Sequence, residues 1–347
     1  MLLSVVIPCY NKADYLIELL SCCQRQSLSD WEVILVDDGS SEVEYNKIYE
    51  FAKGDDRIRL MKRTRLPKNG DTCRNIGLSE VKGKYTLILD SDDLIANNCF
   101  ENRVNYMENR PDIDYATFPG RPFIGTIDSS ANSLLKTRYG IQCNNNSIPY
   151  NLLNLTYPFT VWTNIYRTEK VQKILWDENV YVMQDLDWML SCHFASLKHS
   201  YSKSNEYDYF YRQFESGNNV CSDFSSPLKC NSTIYLCDKI KQEICNYTVE
   251  DLNAVYRKFV IRQFQRIIQG RNRETTFLFL DKCSFLDTNT VCKMRKVANV
   301  FLNKVTKYDP LRLYTLLCFY VSPKYYWREF AHCLLAVIKG VNPRYFT

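Results

Sequence analysis

The sequence is short of the residues that announce several common chemistries. It has 11 glycines in 347 residues, and none falls in "SVVIPCYNKAD", the first strand-like segment and its exit. Neither a G-x-G-x-x-G dinucleotide fingerprint nor a P-loop is present, so no glycine nest cradles a phosphate. Histidine is rarer, and His193, His199 and His332 show no ligand spacing. Cysteine is plentiful at 15, but the number is odd, no C-x-x-C occurs and Cys22 adjoins Cys23, which favours reduced thiols over a disulfide framework. Cys230, Cys237 and Cys245 recur seven and eight residues apart, a helix-face spacing of small core residues rather than metal ligands. Long apolar runs are lacking too. "LYTLLCFYV", residues 313–321, is about half a membrane span. The apolar start is brief, is interrupted by Ser4 and has no basic flank, unlike a signal peptide. A cytoplasmic protein is the expectation.

What is present describes a folded chain. The 46% hydrophobic and 24% charged content supports a sizeable core, and 347 residues suggest a main domain with a smaller appendage. The net charge of +5 hides an asymmetry: Lys and Arg outnumber Asp and Glu by 17 to 6 from residue 251 onward and trail by 27 to 33 before it. A basic end of this kind suits an anionic surface or simply solubility.

Along the chain, "SVVIPCY", "WEVILVDDGS", "RIRLMKR" and "KYTLILD" read as strands. The first is closed by Pro8 and the second spans residues 31–36. Between them "KADYLIELLSCCQRQ" carries a helical apolar stripe, and helices are expected near 42–53 and 71–82. Four alternations of strand and helix indicate an α/β domain with a mostly parallel, doubly wound sheet. Ligands of such sheets lie beyond the carboxyl ends of the strands. There stand Pro8, Tyr10 and Asn11 after the first strand, Asp37 and Asp38 after the second, and Asp90, Asp92 and Asp93 after the fourth. Acids after strands also cap helices and make turns. Three sets converging on one crevice point to a ligand instead. Crowded carboxylates repel unless a cation compensates, and Mg²⁺ or Mn²⁺ held by Asp90 and Asp92 would make the crevice compatible with a diphosphate.

"SVVIPCYNKADYL", "WEVILVDDGSSE", "RNIGLSEVKGKYTLILDSDD" and "VMQDLDWML", in this order over roughly residues 3–215, resemble the bacterial family 2 glycosyltransferases of the GT-A fold. The resemblance implies inverting transfer of a sugar from a nucleotide-sugar donor, UDP-linked by analogy, to an acceptor hydroxyl in surface polysaccharide or lipopolysaccharide assembly. It implies Tyr10 against the nucleoside base, Pro8 shaping the loop, Asp38 accepting from the pyrimidine and Arg74 holding the donor. Asp90 and Asp92 match the D-x-D pair, Asp92 as metal ligand and Asp90 as ribose or metal contact. Asp93 supports the pair, or caps a helix beginning near Asn97. Arg212 falls near the diphosphate, and Trp162 lines the sugar or acceptor pocket unless it simply packs.

The catalytic base implied by the resemblance is Asp185. Family members usually carry Glu-Asp there, and this chain has Gln184-Asp185. A carboxylate at a helix N-terminus is expected to be ionised, with a lowered pKa. Asp187, two residues on, should point about 200° away, toward solvent or acceptor. Residues 1–220 therefore form the expected catalytic domain, and 225–347 a basic helical appendage in which Val255, Phe259, Phe264 and Ile267 share an apolar face. Arg257, Lys258, Arg262, Arg266, Arg271 and Arg273 suggest peripheral membrane contact, at the inner face, near a lipid-linked or glycan acceptor. No nucleic-acid module accompanies this charge. Residues 125–151, rich in Asn and Ser, read as a long loop. A haloacid dehalogenase-type hydrolase would place D-x-D after its first strand and fits poorly. A non-catalytic sugar-nucleotide or glycan-binding protein is the alternative, motivated by Gln184.

Overall fold

The computed structural model describes residues 1–128, 139–142, 144–156, 160–204, 206–214, 224, 226–247 and 252–304. The chain forms two compact units, Met1–Leu152 with Tyr157–Asn219, and Leu153–Thr156 with Val220–Thr347.

The first unit is built on β1 (Leu3–Cys9), β2 (Trp31–Asp37), β3 (Ile58–Lys62) and β4 (Tyr85–Ile88), which lie in the order β3-β2-β1-β4 and are all parallel. Every residue of β2 and β4 is buried, as expected for strands covered on both faces. The covers are α1 (Ala13–Gln24), α2 (Glu42–Ala52) and α3 (Gly70–Glu80). Ser41 caps α2 by accepting from Glu44 N–H, and Asn69 caps α3 by accepting from Thr72 N–H at 2.7 Å. Glu44 in turn accepts the first amide of α1, from Ala13, at 2.8 Å.

The sheet then changes character. β8 (Asn164–Arg167) runs antiparallel to β4, followed by β6 (Tyr115–Thr117) and β9 (His199–Tyr201). These are short strands, without the periodicity that made the first four legible. A second sheet joins β5 (Leu94–Ile95), β10 (Tyr209–Arg212) and β7 (Gly120–Phe123). The remaining helices of this unit are α4 (Cys99–Glu108), α6 (Thr168–Val171) and α7 (Gln184–Phe194), with α5 (Ile148–Leu153) ending at the unit boundary. The expected loop over 125–151 thus gives way to a helix at its end; 129–138 and 143 lie outside the described residues.

Strand pairing creates the crevice. β1 stays paired to β2 as far as Cys9 with Asp37, but its pairing to β4 stops at Val6 with Ile88. The strand therefore runs through Pro8, at a point where one neighbour has already turned away, so the missing donor is tolerated. Gly77 of α3 shows how closely the layers approach: a Cβ there would meet Val6 Cγ1 at 2.4 Å. Val6 is a buried, χ1-restricted residue on a central strand. Gly77→Ala is expected to cost about 1–3 kcal/mol by overpacking, read as a lowered urea midpoint; an unchanged midpoint would mean that the layers separate freely.

The second unit is helical, with α8 (Pro227–Cys245), α9 (Asn253–Gln269), α10 (Arg273–Lys282) and α11 (Thr288–Lys304). Val255, Phe259, Phe264 and Ile267 are buried together on α9. Cys230 and Cys237 are buried core residues, whereas Cys245, at the end of α8, is exposed. Part of the basic cluster serves the fold itself: Lys258 and Arg262 both donate to Asn154, at 3.0 and 2.7 Å, and Arg266 lies over the Phe224 ring. Among the described residues no helix is long and apolar enough to cross a membrane. The segment 313–321 lies outside them.

Candidate active site

The loop after β4 carries Asp90, Asp92 and Asp93, and each carboxylate has a different partner. Asp90 Oδ1 accepts from Arg74 Nη2 at 3.0 Å. Asp92 Oδ2 accepts from Lys12 Nζ. Asp93 is fully buried and accepts from the Tyr209 hydroxyl at 2.6 Å and from Arg212 N–H at 2.8 Å. It therefore fastens β10 to the loop and does not cap α4, which begins at Cys99. Burial, with Asp90 and Asp92 alongside, pushes the Asp93 carboxyl well above the ordinary range. Burial raises Asp90 as well, against the pull of Arg74. Arg212 Nε donates to the Asp92 carbonyl at 2.7 Å and Nη2 to Glu18 at 2.6 Å, with the guanidinium 4.7 Å from the Tyr15 ring and 4.8 Å from that of Phe123.

Arg74 is the hub of the crevice. From the second turn of α3 it donates to Asp71 Oδ1 at 2.9 Å, to Asp90 Oδ1 at 3.0 Å and to Gln184 Oε1 at 3.3 Å, while its guanidinium lies 4.6 Å from the Trp176 ring centroid. Trp176 stacks in turn on Trp188 of α7, with centroids 4.3 Å apart. One buried cation thus draws α3, the D-x-D loop and the first turn of α7 together. Burial pushes Asp71 up to about 8, with Asp185 and Asp187 adding to it and Arg74 opposing.

Asp185 lies on that first turn, half-buried. Burial, then repulsion by Asp90, pushes its carboxyl up to about 7, with Arg74 pulling the other way. The lowered pKa expected from the helix end is therefore overturned. A helix terminus is worth about 0.3–1 kcal/mol, less than one pKa unit, whereas burial shifts carboxyls by up to several units. Asp187 is buried at 3% exposure rather than turned to solvent.

The exits of β1 and β2 form the other end of the crevice. Asp38 accepts from Arg63 Nε at 2.6 Å. Tyr10 is 46% exposed, with Lys68 Nζ over its ring, 3.9 Å from the centroid. Asn11, at φ 49°, is a loop tie: its amide donates to Ser40 Oγ at 2.9 Å and its side-chain oxygen accepts from Ser41 N–H at 2.8 Å. Asp37 accepts from the Gly39 and Ser40 amides, an Asx-type turn, and is 2% exposed. Both hold the loop that presents Pro8, Tyr10 and Asp38. Trp162 packs among aromatic rings, the alternative its sequence left open. It is 3% exposed, stacked on Tyr209 at 4.3 Å and on Tyr211 at 5.7 Å.

The two carboxylates marked for a divalent ion each give one oxygen to a cation of the protein, and among the described residues the second oxygen of each accepts no hydrogen bond. No group of three metal-type side chains occurs among those residues. Two carboxylates completed by substrate oxygens and water suit Mg²⁺ or Mn²⁺, so the residues fit such an ion. Lys12, Asp71 and Arg63 were not among the sequence candidates. Asp71 stands three residues before Arg74 on a helix, a spacing that could have found it; Lys12, 80 residues from its partner, left no such signal.

Residues 4–174 match the family model described as glycosyl transferase family 2. An uncharacterised glycosyltransferase of Haemophilus influenzae is 38% identical over 106 residues, which are 30% of this chain and 42% of that protein. The Escherichia coli UDP-Glc:alpha-D-GlcNAc-diphosphoundecaprenol beta-1,3-glucosyltransferase WfgD is 28% identical over 188 residues, 50% of this chain and 73% of that one. Among five of the curated relatives, the matched part is between 15% and 55% of the relative's length. In fold, the chain is similar to Staphylococcus aureus TarS 1–349 in complex with UDP-GlcNAc, with TM-score 0.59 and 19% identity over 87% of this chain and 89% of that one. The fold is GT-A.

Proposed function

Because residues 4–174 are a family 2 glycosyltransferase domain, we propose that the protein transfers a sugar from a UDP-linked donor to an acceptor hydroxyl with inversion, in the assembly of a surface polysaccharide or lipopolysaccharide. The observation that carries this reading is the Arg74 hub, which ties Asp90 to the start of α7 and so sets a metal-type acid beside a base-type acid. The UDP-GlcNAc complex of TarS and the diphosphoundecaprenol-linked acceptor in the name of WfgD support the donor and acceptor classes.

In this scheme Tyr10 and Asp38 hold the uracil and Pro8 shapes the loop around it. Asp92 and Asp90 are the residues that would hold a divalent ion, which would supply positive charge to offset that of the departing diphosphate. Asp185 accepts the proton of the acceptor hydroxyl as that oxygen attacks the anomeric carbon from the face opposite the leaving group. Arg74 fixes Asp90 relative to α7. Asp71 and Gln184 hold Arg74, and the neutral amide at 184 spares the hub one more negative charge.

Ligand removal tests the metal requirement. With Mn²⁺ present, UDP at about 100 times its Kd should raise stability by about 2.7 kcal/mol, seen as a thermal shift. EDTA, or Asp92→Asn, should abolish most of that shift. Equal stabilisation by UDP with chelator present would remove the metal from the scheme. Turnover of a UDP-sugar separates an enzyme from a binding protein.

A further inference from the structure

Lys12 has no part in the scheme above, yet it pairs with Asp92, the carboxylate assigned there to the ion. Its Nζ pairs with Asp92 Oδ2 and lies 5.4 Å from the centroid of the Phe214 ring. Three cations address the D-x-D loop, and they are not equivalent. Arg74 and Arg212 are 6% and 9% exposed, and each is held by an acid outside the loop, Asp71 and Glu18 respectively. The Lys12 side chain is 37% exposed, and among the described residues Asp92 is the acid it pairs with. Its backbone is fixed at the start of α1, where its carbonyl accepts from Leu16 N–H at 3.0 Å. The flexible stem is free to swing while the main chain stays in place.

An ammonium and a divalent ion repel each other strongly at the separation that one carboxylate imposes. Where the ion binds Asp92, the lysine must move. Held at its backbone, its charge stays within a side chain's length of the loop, where a diphosphate would lie. We propose that Lys12 is a resident counter-ion of Asp92, that a divalent cation displaces it, and that the displaced ammonium then pairs with the diphosphate of the donor. This inference rests on the donor reading of the crevice. It makes metal and nucleotide entry mutually reinforcing, since each ligand improves the site for the other by the same factor.

The test is Mn²⁺ binding to the ligand-free full chain, read from the electron paramagnetic resonance signal of free Mn²⁺, with no turnover involved. Lys12→Met keeps the stem against Phe214 and removes the charge; Lys12→Arg keeps the charge. Lys12→Met should bind Mn²⁺ alone roughly three- to tenfold more tightly than wild type, and in saturating Mn²⁺ it should bind UDP roughly three- to tenfold more weakly. Lys12→Arg should stay close to wild type in both. Should Lys12→Met fail to fold, Lys12→Gln carries the same measurement. Mn²⁺ affinity unchanged or weakened by loss of the charge overturns the proposal, as does unchanged UDP affinity. If wild type binds no Mn²⁺ even with UDP present, the metal-and-donor reading itself falls and takes the Lys12 proposal with it. If wild type binds both and only the Lys12 effects are missing, Lys12 alone is refuted.

Discussion

Asp185→Asn is expected to bind UDP about as tightly as wild type and to transfer sugar about 10²–10⁴-fold more slowly, the usual worth of a general base. The substitution preserves shape and removes the proton acceptor, and what couples Asp185 to Asp90 and Arg74 is charge rather than a hydrogen bond among the described residues. A variant that keeps most of its turnover would take Asp185 out of the base role. The pH profile supplies a second signature. Asp185 is pushed up to about 7 by burial and by Asp90, and only its deprotonated form accepts a proton. The profile of kcat/KM, which reports the free enzyme, should therefore rise with pH to a plateau, with its limb above the ordinary carboxylate range. Asp71, at about 8, titrates close by; Asp71→Asn should keep the limb, whereas a limb lost with Asp71 would move the assignment there.

These raised carboxyls also affect stability, and the sign is definite. Between about pH 4 and their folded values the folded state binds more protons than the unfolded chain. Asp71 and Asp185 therefore contribute stability that is fully present below about pH 4 and is lost as pH rises through about 7 and 8. The ligand-free crevice is strained at the pH where the base must be ionised. A divalent ion beside Asp90 relieves part of that repulsion, so metal should stabilise the protein more at pH 8 than at pH 5.

Much of this site is legible in the sequence because its acids follow strands that declare themselves. The β-branched runs of β1 and β2, and "KYTLILD" leading into Asp90, fix where the carboxyl ends of the central strands lie, and the crevice follows from the parallel order. What fails to show is anything set by partners distant in sequence. Asp93 looks like one acid among three until β10 arrives with Tyr209 and Arg212. Trp162 looks like a pocket residue until Tyr209 and Tyr211 stack on it. The ionisation of Asp185 reverses direction because a helix end is visible in a sequence and burial is not. Asp37 is the opposite case: its D-x-G-S context already contained the turn, and only its proximity to Asp38 suggested a ligand contact.

The largest loss of stability should come from Arg103, whose acid partner, Asp208, lies 105 residues further along the chain. Its side chain is fully buried, donates through Nε and Nη2 to both oxygens of Asp208 at 2.7 Å, and through Nη1 to the Trp162 carbonyl at 2.9 Å. Asp208 immediately precedes β10, and its carbonyl accepts from Ala96 N–H at 3.0 Å. The pair therefore anchors the strand that presents Tyr209 and Arg212 to Asp93. Removing one partner of a buried ion pair leaves a charge without compensation and costs about 3–5 kcal/mol. Arg103→Met is expected to lose that much in urea denaturation followed by tryptophan fluorescence. Asp208→Leu added to it should recover a large part, because replacing both members with apolar groups is often neutral. A single-variant loss below about 1 kcal/mol, within the range of an exposed pair, would show that water reaches the guanidinium. The connection to function lies in β10: if this pair holds the strand in place, Arg103→Met should weaken UDP binding in Mn²⁺ while the protein is still folded, although neither Arg103 nor Asp208 is placed against the donor.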